Sequence, residues 1–217
     1  MRGRTVQFST AAKWCHWLAV FFLFSLMSEA FGFKWKPAEY RGRAIPVHVA
    51  IGLIVLSITF VRLAVRQVLP PPPIPSGLSP FMKSGAKIGH SLLYVVFFYM
   101  ATIGIMMAAM SPVDIRIFSG LNISALAPAN PELLAILRSF HFAGALTFLA
   151  LIIGHICAAL WHHFILKDDV LVRMLPFSGF AQKVLDKGKM PNWRTPSANG
   201  VDWHRKQTWF SNNQNTS

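Results

Sequence analysis

The stretch SFHFAGALTFLALIIGHICAALWHHFIL, residues 139–166, contains no aspartate, glutamate, lysine or arginine. It is longer than the roughly 20 apolar residues that an α-helix needs to cross a bilayer, so it predicts a transmembrane helix. Its four histidines are His162 and His163, which lie near its end, and His141 and His155, which lie fourteen residues apart within it. A spacing of fourteen residues is close to four helical turns, so both rings are predicted on one side of the helix, about 21 Å apart in depth.

Three further stretches are almost free of charged residues, and with the first they predict four transmembrane helices. We expect these helices near residues 14–33, 46–66, 88–110 and 140–165. The composition agrees, because the chain is 53% hydrophobic and 13% charged, whereas soluble domains carry about 25% charged residues. The predicted fold class is therefore an all-α membrane protein, a bundle of four transmembrane helices, and a soluble protein is disfavoured.

The basic residues indicate the orientation of the bundle rather than a nucleic-acid partner. The formal net charge is +13, and most of the 21 lysines and arginines fall in segments 1–13, 62–87 and 167–217. Because cytoplasmic segments of membrane proteins are enriched in Lys and Arg, this bias predicts that both termini are cytoplasmic. The first apolar stretch lacks an A-x-A-like site after it, so we expect a retained helix rather than a cleaved signal peptide.

The chain is expected to divide into three parts. A short cytoplasmic N-terminus, residues 1–13, precedes a four-helix domain at 14–176, and a polar cytoplasmic tail of unknown role follows at 177–217. Within the domain, Asn130 has the pattern of an N-cap followed by a first-turn proline and acid, so the fourth helix is predicted to begin before it enters the bilayer.

The depths of four histidines suggest two pairs. With the predicted orientation, His48 and His141 lie near the outer face, while His16 and His155 lie near the inner face. Two facing imidazoles at each of two levels are what two bis-histidine haems require, since haem iron takes axial imidazole ligands and helical bundles build such sites from facing side chains. Two haems at these levels would carry electrons across the bilayer.

Depth alone leaves alternatives open. His90 is also predicted at the inner level, so it competes with His16 and His155 for two ligand positions. A membrane histidine can also be a polar residue that bonds to a neighbouring helix. For the adjacent His162 and His163, at the inner end of the fourth helix, a solvated interfacial pair is the favoured interpretation.

Several segments resemble the bacterial cytochrome b561 family, a group of four-helix membrane proteins with two b haems that is related to the cytochrome b subunits of formate dehydrogenases and hydrogenases. The resemblance covers about residues 8–176, and it is carried by KWCHWL, IPVHVAIGLIVLSITFVRL, SGAKIGHSLLYVVFF, the quoted fourth helix and the trailing HHFILKDDVLVRMLP. It implies that His16 and His155 bind the iron of an inner haem b and that His48 and His141 bind the iron of an outer haem b. By the same resemblance His90 is a packing or propionate-side residue.

Basic residues near the two levels of paired histidines are candidates for binding the haem propionates. Arg62 lies fourteen residues after His48, so it faces the same side at the inner level, where a guanidinium would pair with a propionate. Its alternative role is an anchor at the inner membrane surface. Lys87 is a weaker candidate, and Arg41 and Arg43 are candidates on the outer side.

The resemblance implies electron transfer between a donor and membrane quinone, in the inner membrane of a bacterium. An apolar slot with a few polar groups would hold the quinone, and His162 is the residue singled out from a set at the inner end: His90, Trp161, His162, His163, Lys167 and Asp168. The electron donor on the outer side is unidentified. The basic outer loop, residues 29–46, would attract a small anion such as superoxide or an acidic redox protein.

Three function classes follow. The favoured one is an oxidoreductase that exchanges electrons with quinone through two b haems, for which a superoxide:quinone oxidoreductase is one form. The alternative is a haem-bearing membrane anchor subunit that passes electrons between quinone and a separate catalytic protein. A histidine-lined transporter is disfavoured because Glu29 is the sole carboxylate in the four predicted helices. The oligomeric state stays open, since a small residue such as Gly104 packs within a bundle or between chains.

Overall fold

The structure is a computed structural model that describes residues 7–32, 37–73, 78–118 and 120–176, without the side chains of residues 38 and 41. The predicted polar tail, residues 177–217, lies outside the described residues. The side chain of Arg41, a candidate for the outer propionates, lies outside them as well.

Four long helices make up most of the described chain. They are α1 (Thr10–Gly32), α2 (Ala38–Val68), α3 (Pro80–Ala109) and α4 (Pro131–Phe164). Each is long and apolar enough to cross a membrane. The prediction of four membrane helices in an all-α fold is therefore confirmed.

The helices α2 and α3 begin about eight residues before the membrane stretches predicted for them, whereas α4 begins directly after Asn130, as the N-cap pattern predicted. At α4 the Asn130 side chain accepts a hydrogen bond from the Leu133 amide at 3.0 Å, and Pro131 occupies the first turn. At α3 the Ser79 hydroxyl accepts from the Met82 amide at 3.3 Å. Each cap satisfies an amide that has no partner within its helix.

The bundle packs in sequence order, with α1 along α2, α3 along α4, and a smaller contact between α2 and α3. Its central core consists of the buried side chains of Val55, Phe97 and Phe148. Large apolar side chains on the outward faces stay exposed in the isolated chain, as expected where helices face lipid. The chain is thus built as a multi-pass membrane protein.

One end of the bundle, here called the hairpin end, carries the α1–α2 and α3–α4 connections. Strands β1 (Arg116–Ile117) and β2 (Leu121–Asn122) form an antiparallel hairpin that a 3₁₀ turn, Ile123–Ala125, follows. Buried residues of this region pack with Ala108 of α3 and against Val49, Ala50 and Leu53 of α2. The hairpin therefore covers α2 beside His48.

The opposite end, here called the terminal end, carries the start of α1 and the end of α4. After α4 the chain turns through Lys167, whose φ is +54°, into a 3₁₀ turn at Val172–Met174. We call residues 165–176 the clasp. The Trp17 indole donates to the Met174 carbonyl at 2.8 Å, and the Arg173 guanidinium donates to the Pro73 carbonyl at 3.0 Å, so the clasp joins α1 to the α2–α3 connection.

Candidate haem-binding sites

Residues spaced by seven positions on α2 and α4 include the candidate histidines of these two helices. On α4, His141 lies near the hairpin end and His155 near the terminal end, and Phe148 lies midway between them. On α2, the same seven-residue step runs from His48 to Val55. Because seven residues are close to two turns, each series stays on one side of its helix.

The structure brings together the two pairs that the sequence suggested. The ring centroids of His16 and His155 are 6.4 Å apart, with an interplanar angle of 77°. Those of His48 and His141 are also 6.4 Å apart, with an angle of 71°. Two pairs with the same spacing therefore lie at opposite ends of one bundle.

This spacing fits two imidazoles on opposite sides of one metal ion. A metal–imidazole bond is about 2 Å long and the ring centre lies about 1 Å behind the bonded nitrogen, so two opposed ligands have centroids about 6 Å apart. The competing ring of His90 lies closer to His155, at 5.3 Å between centroids. Its Nδ1 donates to the Ala86 carbonyl of its own helix at 2.6 Å. The spacing therefore favours His16 over His90 as the partner of His155.

One buried nitrogen in each pair lacks a hydrogen-bond partner among the residues that the structure describes. These nitrogens are Nδ1 of His16 and Nδ1 of His141. Because buried polar atoms almost always have a partner, such nitrogens are expected where a bound group completes the site. The donor set is also appropriate, since imidazole is a common axial ligand of haem iron. The residues at both levels therefore fit a haem.

The backbone of α3 comes close to the His48/His141 pair at Gly104. A Cβ atom at that position would lie 3.3 Å from Cε1 of His141, which is closer than ordinary van der Waals contact. Gly104 thus packs inside the bundle against a candidate ligand. The sequence left its role open, because nothing local to Gly104 indicates which ring on α4 it meets.

An apolar layer separates the two pairs. Val55, Phe97 and Phe148 are at most 8% exposed and form one contiguous cluster. Phe22 and Leu23 of α1 pack against its edge. Among the residues that the structure describes, the members of this cluster are all apolar, which disfavours the entry of water and ions at the centre of the bundle.

Arg62 lies at the terminal end, as the spacing predicted. Its guanidinium carbon is 5.9 Å from the centroid of the Tyr94 ring, within the range of a cation–π contact. The guanidinium is within electrostatic reach of His16 and of His155. By contrast, the side chain of Lys87, the weaker candidate for the inner propionates, is exposed on the surface of α3.

Among the residues suggested for a quinone site, the structure pairs His162 with Asp168. Nδ1 of His162 and Oδ2 of Asp168 are 2.5 Å apart, and both side chains are 17% exposed. The Val170 amide donates to the other carboxylate oxygen at 3.0 Å, so the carboxylate is held from two sides. Trp161 and Lys167 are exposed at the same end.

At the hairpin end, a hydrogen bond in the described part of the outer loop joins α1 to α2. The Tyr40 hydroxyl of α2 donates to Oε1 of Glu29, near the end of α1, at 3.4 Å. Arg43, the described candidate for the outer propionates, is exposed. Lys34 and Lys36, which contribute to the predicted positive charge of this loop, lie outside the described residues.

Comparisons with known proteins agree with this architecture. Residues 7–177 match the family described as prokaryotic cytochrome b561. The chain is 28% identical over 178 residues to cytochrome b561 homolog 1 of Escherichia coli, covering 78% of this chain and 97% of that protein. It is 31% identical over 175 residues to cytochrome b561 homolog 2 of the same organism, covering 77% and 88%. It is 29% identical over 161 residues to a probable superoxide oxidase, CybB, of Yersinia pestis, covering 74% and 91%.

The matched residues include all four helices and the four paired histidines, so the likeness extends over the whole described bundle. The chain belongs to the prokaryotic cytochrome b561 family and is a multi-pass membrane cytochrome of the haem b type that transfers electrons.

Proposed function

We propose that this protein moves electrons between its two membrane faces through two bis-histidine b haems and exchanges them with membrane quinone. His16 and His155 would hold the inner haem, and His48 and His141 would hold the outer haem. The observation that carries this proposal is the pair of equal centroid spacings, 6.4 Å at each end of the bundle. The orientation is the one that the basic residues predict, with the terminal end inside.

When bound, haem iron with two imidazole ligands supplies one-electron transfer and leaves no axial position open for oxygen. The residues of the chain then have three tasks. The four histidines fix the ligand geometry, and the layer of Val55, Phe97 and Phe148 keeps water out between the two levels. Arg62 would bind a propionate of the inner haem, because a half-buried guanidinium in an apolar bundle is stabilised by an anion.

The His162–Asp168 pair would serve the quinone. Reduction of a quinone to a quinol consumes two electrons and two protons, so its site needs a group that supplies protons beside an electron source. Because Asp168 accepts from Nδ1 of His162 at 2.5 Å, the second ring nitrogen, Nε2, is left to bond a quinone oxygen. A carboxylate that accepts from one ring nitrogen in this way fixes the orientation of the imidazole and the tautomer it adopts.

We further propose superoxide as the electron donor on the outer side. The support is the similarity to a probable superoxide oxidase of Yersinia pestis, together with the basic residues of the outer loop, which would attract a small anion. Oxidation of two superoxide ions releases two oxygen molecules and two electrons. With two protons, these electrons reduce one quinone to its quinol.

Haem content per chain, measured with oxidised and reduced visible spectra on the purified protein in detergent, tests the ligand assignment. The variants are His16→Ala and His48→Ala, with His90→Ala as the control. Wild type and His90→Ala are expected to contain two low-spin b haems, and each of the other two variants is expected to lose haem. Absence of haem from folded wild type would refute the proposal, and a single haem would refute the transmembrane path.

A further inference from the structure

Trp17 follows the proposed ligand His16 directly and also bonds to the clasp. The ring centroids of His16 and Trp17 are 5.8 Å apart in an edge-to-face arrangement, with an interplanar angle of 69°. The indole Nε1 donates to the Met174 carbonyl at 2.8 Å, across 157 residues of sequence. One side chain therefore joins the start of α1 to the end of the described chain.

The acceptor of this hydrogen bond is held in place by the rest of the clasp. Arg173, the residue before Met174, donates to the Pro73 carbonyl at 3.0 Å. Asp168, near the start of the clasp, bonds to His162 of α4. Val172 is buried, with 7% of its surface exposed. Because two hydrogen bonds to other parts of the chain and one buried side chain hold this segment, the Met174 carbonyl is a fixed reference point for the Trp17 indole.

The position of the Trp17 indole is coupled to the orientation of the His16 ring. His16 and Trp17 are consecutive residues of one rigid helix, so a rotation of α1 that carried the indole away from Met174 would turn the His16 ring by the same angle. Groups outside the ligand set commonly orient the ligands of a metal and tune its properties. The link here runs through the helix backbone rather than through a hydrogen bond to the imidazole.

We propose that Trp17, anchored on the Met174 carbonyl, is the positioning residue of the His16 ring, so that the clasp determines the axial-ligand geometry of the inner haem. This inference depends on the proposed function, since it requires that His16 and His155 bind an iron. It extends that function by assigning a role to a segment that supplies no haem ligand.

The test compares Trp17→Phe with Trp14→Phe in the full-length, haem-loaded protein. Trp17→Phe removes the indole donor and keeps an aromatic edge beside His16. Trp14 is the control because it is an exposed tryptophan of the same helix end. The readouts are the low-spin ferric signals in electron paramagnetic resonance, a redox titration of each haem, and amide hydrogen exchange over residues 168–176.

For Trp17→Phe we expect a shifted resonance and midpoint potential for one haem only, the haem that His16→Ala removes. Amide exchange in the clasp is expected to be several-fold faster, because one of its anchors is lost. The other haem keeps its signal and its potential. Trp14→Phe is expected to leave the signals of both haems and the exchange of the clasp unchanged.

Three results would overturn the inference. The first is faster exchange in the clasp with both haem signals unmoved, which would make the hydrogen bond purely structural. The second is an equal shift of both haems, which would indicate general loosening of the bundle. If Trp17→Phe fails to assemble, Arg173→Gln replaces it, because this variant frees the clasp from Pro73 without altering α1. The third refuting result is an unchanged signal of the inner haem in Arg173→Gln. A wild type without an inner haem would instead overturn the proposed function, and the inference with it.

Discussion

Replacing Gly104 with alanine tests whether the backbone of α3 fixes the position of His141. The added Cβ would lie 3.3 Å from Cε1 of the imidazole, so the ring or the helix must move by a few tenths of an ångström. Overpacking of this kind typically costs about 1–3 kcal/mol. Alanine in place of a helical glycine returns about 1 kcal/mol. The net change in stability is therefore small, about 0–2 kcal/mol of destabilisation.

The main effect is expected at the ligand rather than in global stability. A ring that moves by a few tenths of an ångström no longer has the 6.4 Å spacing and 71° angle to His48. The assay is a redox titration with low-spin ferric spectra of the purified protein, combined with thermal unfolding. We expect a shift in the outer haem, no shift in the inner haem, and a melting temperature close to that of wild type.

Gly154→Ala is the matched control. Gly154 is an exposed helical glycine of α4, and a Cβ there meets no atom within 4 Å. This variant is expected to gain stability, by up to about 1 kcal/mol, and to leave the outer haem unchanged. If Gly104→Ala also gains stability and keeps the spectrum of the outer haem, the argument that Gly104 supports His141 is refuted.

Four further predictions concern other parts of the molecule. Arg62→Gln is expected to lower the midpoint potential of the inner haem, because a nearby positive charge favours the reduced iron; redox titration measures this, and exposed Arg66→Gln should have a smaller effect. Asp168→Asn is expected to slow haem oxidation by quinone several-fold in stopped-flow experiments while the rate of reduction by superoxide is retained; an unchanged oxidation rate would remove Asp168 from the quinone site. Gly144→Ala should destabilise the bundle by about 1–3 kcal/mol in thermal unfolding, because its Cβ would lie 2.6 Å from the Met100 sulfur. Rates of reduction by superoxide should fall steeply as salt increases, since exposed charges are screened over about 10 Å at 0.1 M; a rate that does not depend on salt would count against a basic outer rim.

The sequence alone predicted the number of membrane helices and the relative levels of the histidines along them. Both follow from distances along one chain, because a bilayer fixes the length of an apolar stretch and a helix fixes the rise per residue. The spacing of His141 and His155 was therefore enough to predict two levels. Local cap residues such as Asn130 also specified where α4 begins, before its apolar stretch.

Only the tertiary structure decided which side chains meet at each level. His16, His90 and His155 are equivalent in depth, and their ring centroids differ only after the helices pack: 6.4 Å for one pair and 5.3 Å for the other. The contacts of Gly104 with His141 and of Trp17 with Met174 likewise form only when the helices pack, the second across 157 residues. The physical reason is that the helical rise sets position along the membrane normal, whereas neighbours around that normal depend on how four apolar helices pack, and hydrophobicity alone does not distinguish one arrangement from another.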